Sequence, residues 1–384
     1  MIIERAVSDS IRRLIKKYPL IAVTGPRQSG KTTLLRHLFP DYQYVSMEHP
    51  DNLSFALEDP NGFLATYDNP TIFDEIQRAP EIFSYLQTKT DKEKIMGQYI
   101  LSGSQNFLLK SGITHSLAGR VPLFKLLPLS FSELQAENLL SDTPNRTIFS
   151  GFYPATYDRK IAPNDFYPSY VETYLERDVQ GIINASNLHQ FQMFMRLCAG
   201  YSGQLLNFSA LAEACEISSP TAKFWLSILE KSYIVFILRP YHKNFKKRLV
   251  KSPKLYFYDT GLACYLLGIR NAETLTTYYQ QGNLFENLII AELYKSQFNQ
   301  GLRAEYSFWR DSNQIEMDLV WEKDLKLQAM EIKSGMTIHS RHFSGIKKFK
   351  EIANQECQSH LVYGGEENST RHETQVYGWK NMPF

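Results

Sequence analysis

The stretch Gly25-Pro26-Arg27-Gln28-Ser29-Gly30-Lys31-Thr32 satisfies the spacing G-x-x-x-x-G-K-[ST]. Each position has a physical reason. The glycines let backbone N–H groups close around phosphate oxygens, Lys31 reaches the β/γ-phosphates, and Thr32 offers a hydroxyl to Mg²⁺. An apolar run, Leu20-Ile21-Ala22-Val23, precedes the loop, and the helix-prone Thr33-Leu34-Leu35-Arg36-His37-Leu38 follows it. That setting aims the positive end of a helix at an anion. The expected ligand is ATP with Mg²⁺, contacted by Gly25, Pro26, Arg27, Gln28, Ser29, Gly30, Lys31, Thr32 and Thr33.

A second segment, Thr71-Ile72-Phe73-Asp74-Glu75, places two acids at the end of an apolar strand. Asp74 is suited to hold Mg²⁺ through water, alongside Thr32, and Glu75 to orient or activate the attacking water. A lone Asp-Glu pair is also an ordinary solvent-facing turn; the upstream loop favours the chemical reading. Ser104 and Gln105 follow the next apolar run, Tyr99-Ile100-Leu101, and would sit where a γ-phosphate can be sensed. Arg120 is a candidate arginine finger, with a surface ion pair as the plainer alternative.

Acids recur near the C-terminus. Glu286 lies near the start of a helical pattern, Asp318 in the alternating run Ile315–Val320, and Glu331-Ile332-Lys333 ends the run that follows. A helical acid, a strand Asp and an E-x-K on the next strand form the PD-(D/E)XK nuclease layout. Glu286, Asp318 and Glu331 would then share a Mg²⁺, and Lys333, on the same strand face as Glu331, would position or activate water. Charge pairing on an exposed strand is the alternative. His339 and His342 are three apart without a third ligand nearby, which argues for surface rather than metal.

Between these regions, Phe208–Cys215 and Pro220–Lys231 read as two helices around the turn Glu216–Ser219, followed by strand-like runs at Tyr233–Leu238 and Lys254–Tyr258. The connecting segment carries Lys243, Lys246, Lys247, Arg248, Lys251 and Lys254 and no acid. A winged helix with a basic wing able to contact DNA phosphates is expected, although such modules also serve only to pack against protein.

The elements that must position these groups follow from patterning. β-type runs alternate with helical stretches over the first 140 residues, implying a parallel α/β sheet. The middle is mostly helical, and a second α/β pattern begins near residue 282. At 384 residues, 43% hydrophobic, the chain has material for two or three domains. Its 42 basic and 40 acidic residues give a net charge of +2, so any polyanionic partner must be met by a local patch. No apolar run approaches the roughly 18 residues of a membrane span. Four dispersed cysteines and a start unlike a signal peptide lead us to expect a cytoplasmic protein.

Taken together, Gly25–Thr33, Phe73-Asp74-Glu75-Ile76-Gln77, Ser116–Arg120, residues 126–134, Tyr174–Val179 and Ser252–Leu262 resemble the prokaryotic AAA-type ATP-binding proteins that carry a C-terminal domain of uncharacterised function. The resemblance spans nearly the whole chain. It implies an α/β protein with an AAA-like P-loop ATPase domain (residues 1–140), a helical connector with a winged helix (141–270), and a C-terminal α/β PD-(D/E)XK nuclease-like domain (271–384). It also strengthens Arg120 as a finger, acting within one chain or between copies of a homo-oligomer. Two departures are Met47-Glu48, where Leu-Asp is expected, and Phe152-Tyr153-Pro154, where the pattern has two glycines. The function so implied is an ATPase acting on DNA, with a regulatory switch that binds protein as the rival.

Overall fold

The computed structural model describes residues 2–104, 121–241 and 250–383. Gln105, Arg120, Lys243, Lys246, Lys247 and Arg248 lie outside the described residues.

The first sheet forms from β1 (Leu20–Thr24), β2 (Gln43–Ser46), β3 (Thr71–Asp74), β4 (Tyr99–Gly103) and β5 (Leu123–Lys125) in the order β2-β3-β4-β1-β5, all parallel. Alternation explains why β1 is buried throughout and apolar from Leu20 to Val23: a strand covered on both faces has no solvent side. Leu20 and Ala22 pack with Phe63, Phe73, Phe83 and Leu101 on one face, while Ile21 and Val23 pack with Val7, Ile11, Leu34 and Ile100 on the other. Helices Ser8–Ile15 and Lys31–Leu38 cover the second face, and Pro60–Thr66 and Ile82–Glu93 the first. The chemistry therefore gathers at the C-terminal ends of β1, β3 and β4.

The second sheet joins the middle of the chain to its C-terminal part. Its strands are β6 (Gln204–Leu205), β7 (Val235–Pro240), β8 (Lys254–Phe257), β9 (Ser307–Arg310), β10 (Glu316–Lys323), β11 (Lys326–Lys333), β12 (Cys357–Tyr363), β13 (Ser369–Arg371) and β14 (Thr374–Gly378). They run in the order β13-β14-β12-β11-β10-β9-β7-β8-β6. Helices Phe208–Ala214 and Ser219–Lys231 stand between β6 and β7, the second opened by Ser218 as N-cap and Pro220 in its first turn. β7 pairs antiparallel with β8 and parallel with β9, so the boundary expected near residue 270 crosses a continuous sheet.

Helix Gln281–Asn299 is buried on nearly every side, among residues of both the middle and the C-terminal sheet. Its Asn287 clamps β8: the amide side chain accepts from Phe257 N at 2.8 Å and donates to Phe257 O at 2.7 Å. The opposite face of the sheet is closed by Ile346, Phe349 and Ala353 of helix Ser344–Ala353, packed on Trp309, Met317, Val320 and Leu361.

Candidate functional site

The loop from Gly25 to Lys31 is shaped by contacts a side chain would block. A Cβ on Gly25 would fall 2.0 Å from Leu126 O, so only glycine lets β1 turn this close to the strand-β5 exit. Gly30 is left-handed, φ 92°, and caps helix Lys31–Leu38. Lys31 is buried, and its ammonium donates to Gly25 O at 2.9 Å and Pro26 O at 2.8 Å. Burial pushes its pKa down, against the pull of Glu75 and Asp74.

Across the sheet, Asp74 ends β3. Its Oδ2 accepts from Thr32 Oγ1 and from Tyr44 OH, each at 2.7 Å. A hydroxyl and a carboxylate meeting here are the few protein oxygens that Mg²⁺ takes when phosphates and waters complete its octahedron, so these residues fit that ion. Glu75 adopts φ 53° and turns its carboxylate sideways, where Ser104 Oγ donates to it at 3.2 Å and Gln77 Nε2 also donates. The strand order makes this meeting possible: β4 lies between β1 and β3, which sets Ser104 beside Glu75.

Several residues of this site were not expected from sequence. Arg5 is buried; it donates to Ser29 O at 2.7 Å, to Leu127 O at 2.6 Å and to Glu133 at 3.0 Å. It thereby fixes the back of the phosphate loop to the segment after β5. No motif flags an N-terminal arginine. Tyr44 is equally silent in sequence. Asp178 pairs bidentately with Arg27, and it falls within Tyr174–Val179, one of the segments carrying the family resemblance.

The C-terminal acids are brought together as ion pairs. Asp318 sits where the β9–β10 register shifts between Met317 and Val320, an irregularity of the kind that re-aims a side chain. Its Oδ2 accepts from Ile332 N at 2.7 Å. Lys333 Nζ lies 2.5 Å from Glu331 Oε1 and 4.0 Å from Asp318 Oδ2. Glu286 Oε1 accepts from Lys254 Nζ at 2.9 Å and Tyr256 OH at 2.5 Å, and Lys254 also pairs with Glu316. Burial and then Asp318 push Glu331 up to about 8, against Lys333. Burial alone would lower Lys333; Asp318 and Glu331 more than offset it and raise it. Among the described residues, no three His, Cys, Asp or Glu side chains converge as a metal-ligand set. Lysines stand between the carboxylates instead.

Lys254 corrects an expectation. Read from sequence as part of a basic wing able to contact DNA phosphates, it is 2% exposed, because β8 faces it into Glu286 and Glu316 rather than toward solvent. Lys251 is exposed. No helix among the described residues is long and apolar enough to cross a membrane.

Residues 17–135 match the family described as an AAA domain. The N-terminal part of the chain carries an AAA-type P-loop domain. Residues 142–273 and 281–382 match two domains of unknown function, DUF8612 and DUF4143. The chain is similar to the uncharacterized protein Rv2008c of Mycobacterium tuberculosis, 29% identical over 343 residues, covering 88% of this chain and 75% of that one. An uncharacterized protein of Haemophilus influenzae is 22% identical over 302 residues, covering 71% and 73%. Among solved structures, a Walker-type ATPase of Pyrococcus abyssi superposes with a TM-score of 0.44 at 16% identity, over 69% of this chain and 96% of that one.

Proposed function

We propose that the protein binds and hydrolyses ATP at the P-loop and uses the cycle as a switch. The observation that carries this is the Thr32–Asp74 hydrogen bond beside a Glu75 held by Ser104 and Gln77. It joins the loop end of β1 to the acidic end of β3, beside the carboxylate that this reading assigns to water activation.

Each residue then has a task. Backbone N–H groups of Ser29–Thr32 cradle the phosphates at a helix N-terminus, and Lys31 exchanges its carbonyl partners for phosphate oxygens. Mg²⁺ held near Thr32 and Asp74 would supply neutralisation of the β/γ-phosphate charge. Glu75 orients the attacking water, and its two donors fix the direction of its carboxylate. Ile2, Ile3, Leu34, Leu38, Leu129 and Pro154 line a small, mostly apolar cavity beside Gly30, suited to the base. The test is phosphate release with Mg·ATP by wild type and Glu75→Gln. Binding retained with turnover lowered at least 100-fold supports the assignment. Unchanged turnover in Glu75→Gln removes it.

For the output, the winged-helix order β6, two helices, β7, β8 and the helix-plus-hairpin placement of Glu286, Asp318 and Glu331 support a winged helix joined to a PD-(D/E)XK-like fold. The burial of Lys254 in ion pairs favours a non-cleaving module that relays nucleotide state to a protein partner, over one that cuts DNA. Mg²⁺-dependent cleavage of duplex DNA by wild type, lost in Glu331→Gln, would reverse that preference.

A further inference from the structure

Arg27 stands third in the phosphate loop, and Asp178 meets it from outside the first sheet. Its Nε lies 2.6 Å from Asp178 Oδ2 and its Nη2 3.0 Å from Oδ1, the parallel fork a guanidinium makes with either a carboxylate or a phosphate. Asp178 is 7% exposed. It lies in Leu175–Val179, a π-helical turn that ends helix Pro163–Tyr174. Such turns are uncommon and are found frequently at functional sites. The neighbouring Arg177 pairs with Glu48 Oε1 at 3.3 Å, just past β2.

These groups border one polar cavity of about 790 Å³ that also contains Glu75, Gln77 and Arg78. Arg27, Arg78 and Arg177 line it together with Glu48, Glu75 and Asp178. A terminal phosphate near Lys31 and Glu75 would enter this cavity. It would offer Arg27 a doubly charged, bidentate acceptor in place of a singly charged one.

We propose that Asp178 is a positioning residue that makes the P-loop discriminate triphosphate from diphosphate: it holds Arg27 until a γ-phosphate displaces it, and the displaced π-helical turn carries that signal to the middle of the chain. The proposal rests on the nucleotide reading of the P-loop. A diphosphate ends short of the cavity and leaves the Arg27–Asp178 fork intact. A triphosphate must break it, so part of its binding free energy is spent releasing Leu175–Val179. Removing the competing carboxylate while keeping its shape returns that free energy to ATP binding alone.

The experiment measures the affinity of mant-ATP and mant-ADP, with Mg²⁺, for wild type, Asp178→Asn, Arg27→Gln and the double variant. Asp178→Asn is expected to tighten mant-ATP about tenfold relative to mant-ADP. In the Arg27→Gln background the same change is expected to be silent. Equal shifts for both nucleotides make the pair structural and overturn the proposal, while the P-loop assignment stands. A wild type that binds neither probe overturns the assignment and the proposal with it. As a readout that needs no variant, hydrogen exchange of amides 175–180 in wild type should quicken several-fold with β,γ-imido-ATP and not with ADP. Identical exchange with the two nucleotides likewise overturns the proposal.

Discussion

Thr32 Oγ1 and Asp74 Oδ2, 42 positions apart in the chain, are joined by a 2.7 Å hydrogen bond at the C-terminal edge of the first sheet. Two loops of different strands are thus joined. Thr32→Val keeps the volume and removes the hydroxyl, leaving Asp74 with Tyr44 as its remaining side-chain donor. We expect weaker Mg²⁺ dependence and at least a tenfold loss of Mg·ATP turnover, read by titrating Mg²⁺ at fixed ATP. An unchanged Mg²⁺ profile would remove Thr32 from the site.

Lys31→Ala deletes the ammonium that the loop carbonyls of Gly25 and Pro26 hold. ATP turnover is expected to vanish, because Lys31 is the loop cation positioned to reach the β/γ-phosphates. The substitution also strips Gly25 O and Pro26 O of their donor, so a modest loss of thermal stability should accompany the loss of turnover. Calorimetry alongside phosphate release separates the two effects, and normal turnover sinks the nucleotide assignment.

Gly25→Ala tests the packing of the loop rather than its chemistry. The added methyl would overlap the backbone carbonyl of Leu126, which cannot rotate away as a side chain can. We expect about 1–3 kcal/mol of destabilisation by urea unfolding together with loss of nucleotide binding. Wild-type stability in this variant would mean the β5 exit yields easily.

Lys254→Met tests the ion-pair reading of the C-terminal cluster. It leaves Glu286 and Glu316 without their shared cation, and breaking a buried pair from one side typically costs about 3–5 kcal/mol. The loss should shrink when Glu286→Gln is already present, which a double-mutant cycle measures. A solvated wing lysine would instead show a change near zero in both backgrounds.

Glu331 gives the cluster a pH signature. Burial and Asp318 raise its folded-state pKa to about 8 from an ordinary 4.5, so the folded protein binds more protons than the unfolded chain between those values. Stability should therefore fall as pH rises from 4.5 to about 8, by at most about 1.4 kcal/mol per pH unit for one proton. Glu331→Gln should flatten that fall, leaving the part due to Glu286, which burial raises to about 7. Urea midpoints at four pH values decide it; parallel curves for the two proteins would contradict the shift.

The P-loop and the acidic end of β3 were legible in sequence because their parts are local. Glycines, lysine and threonine at fixed spacing define a loop by backbone freedom and charge, and an acidic pair ending an apolar run defines a strand edge. Short apolar runs interleaved with helical stretches placed β1, β3 and β4, and the pairing of Phe208–Ala214 with Ser219–Lys231 followed from Pro220 at a helix start and the turn Glu216–Ser219 before it. Those signals live within a dozen residues, so the linear chain contains them.

Tertiary structure alone decided who faces whom. Whether Lys254 meets solvent or Glu286 depends on β8 pairing between β6 and β7 and on helix Gln281–Asn299 crossing it, contacts that no spacing encodes. Arg5 reaching Ser29, Tyr44 reaching Asp74 and Asp178 reaching Arg27 are long-range in the same sense. A charged residue looks alike in sequence whether it is solvated or paired. Burial, set by the packing of distant elements, is what turns Lys254 from a phosphate contact into a counterion and Arg27 from a loop residue into one end of a bridge.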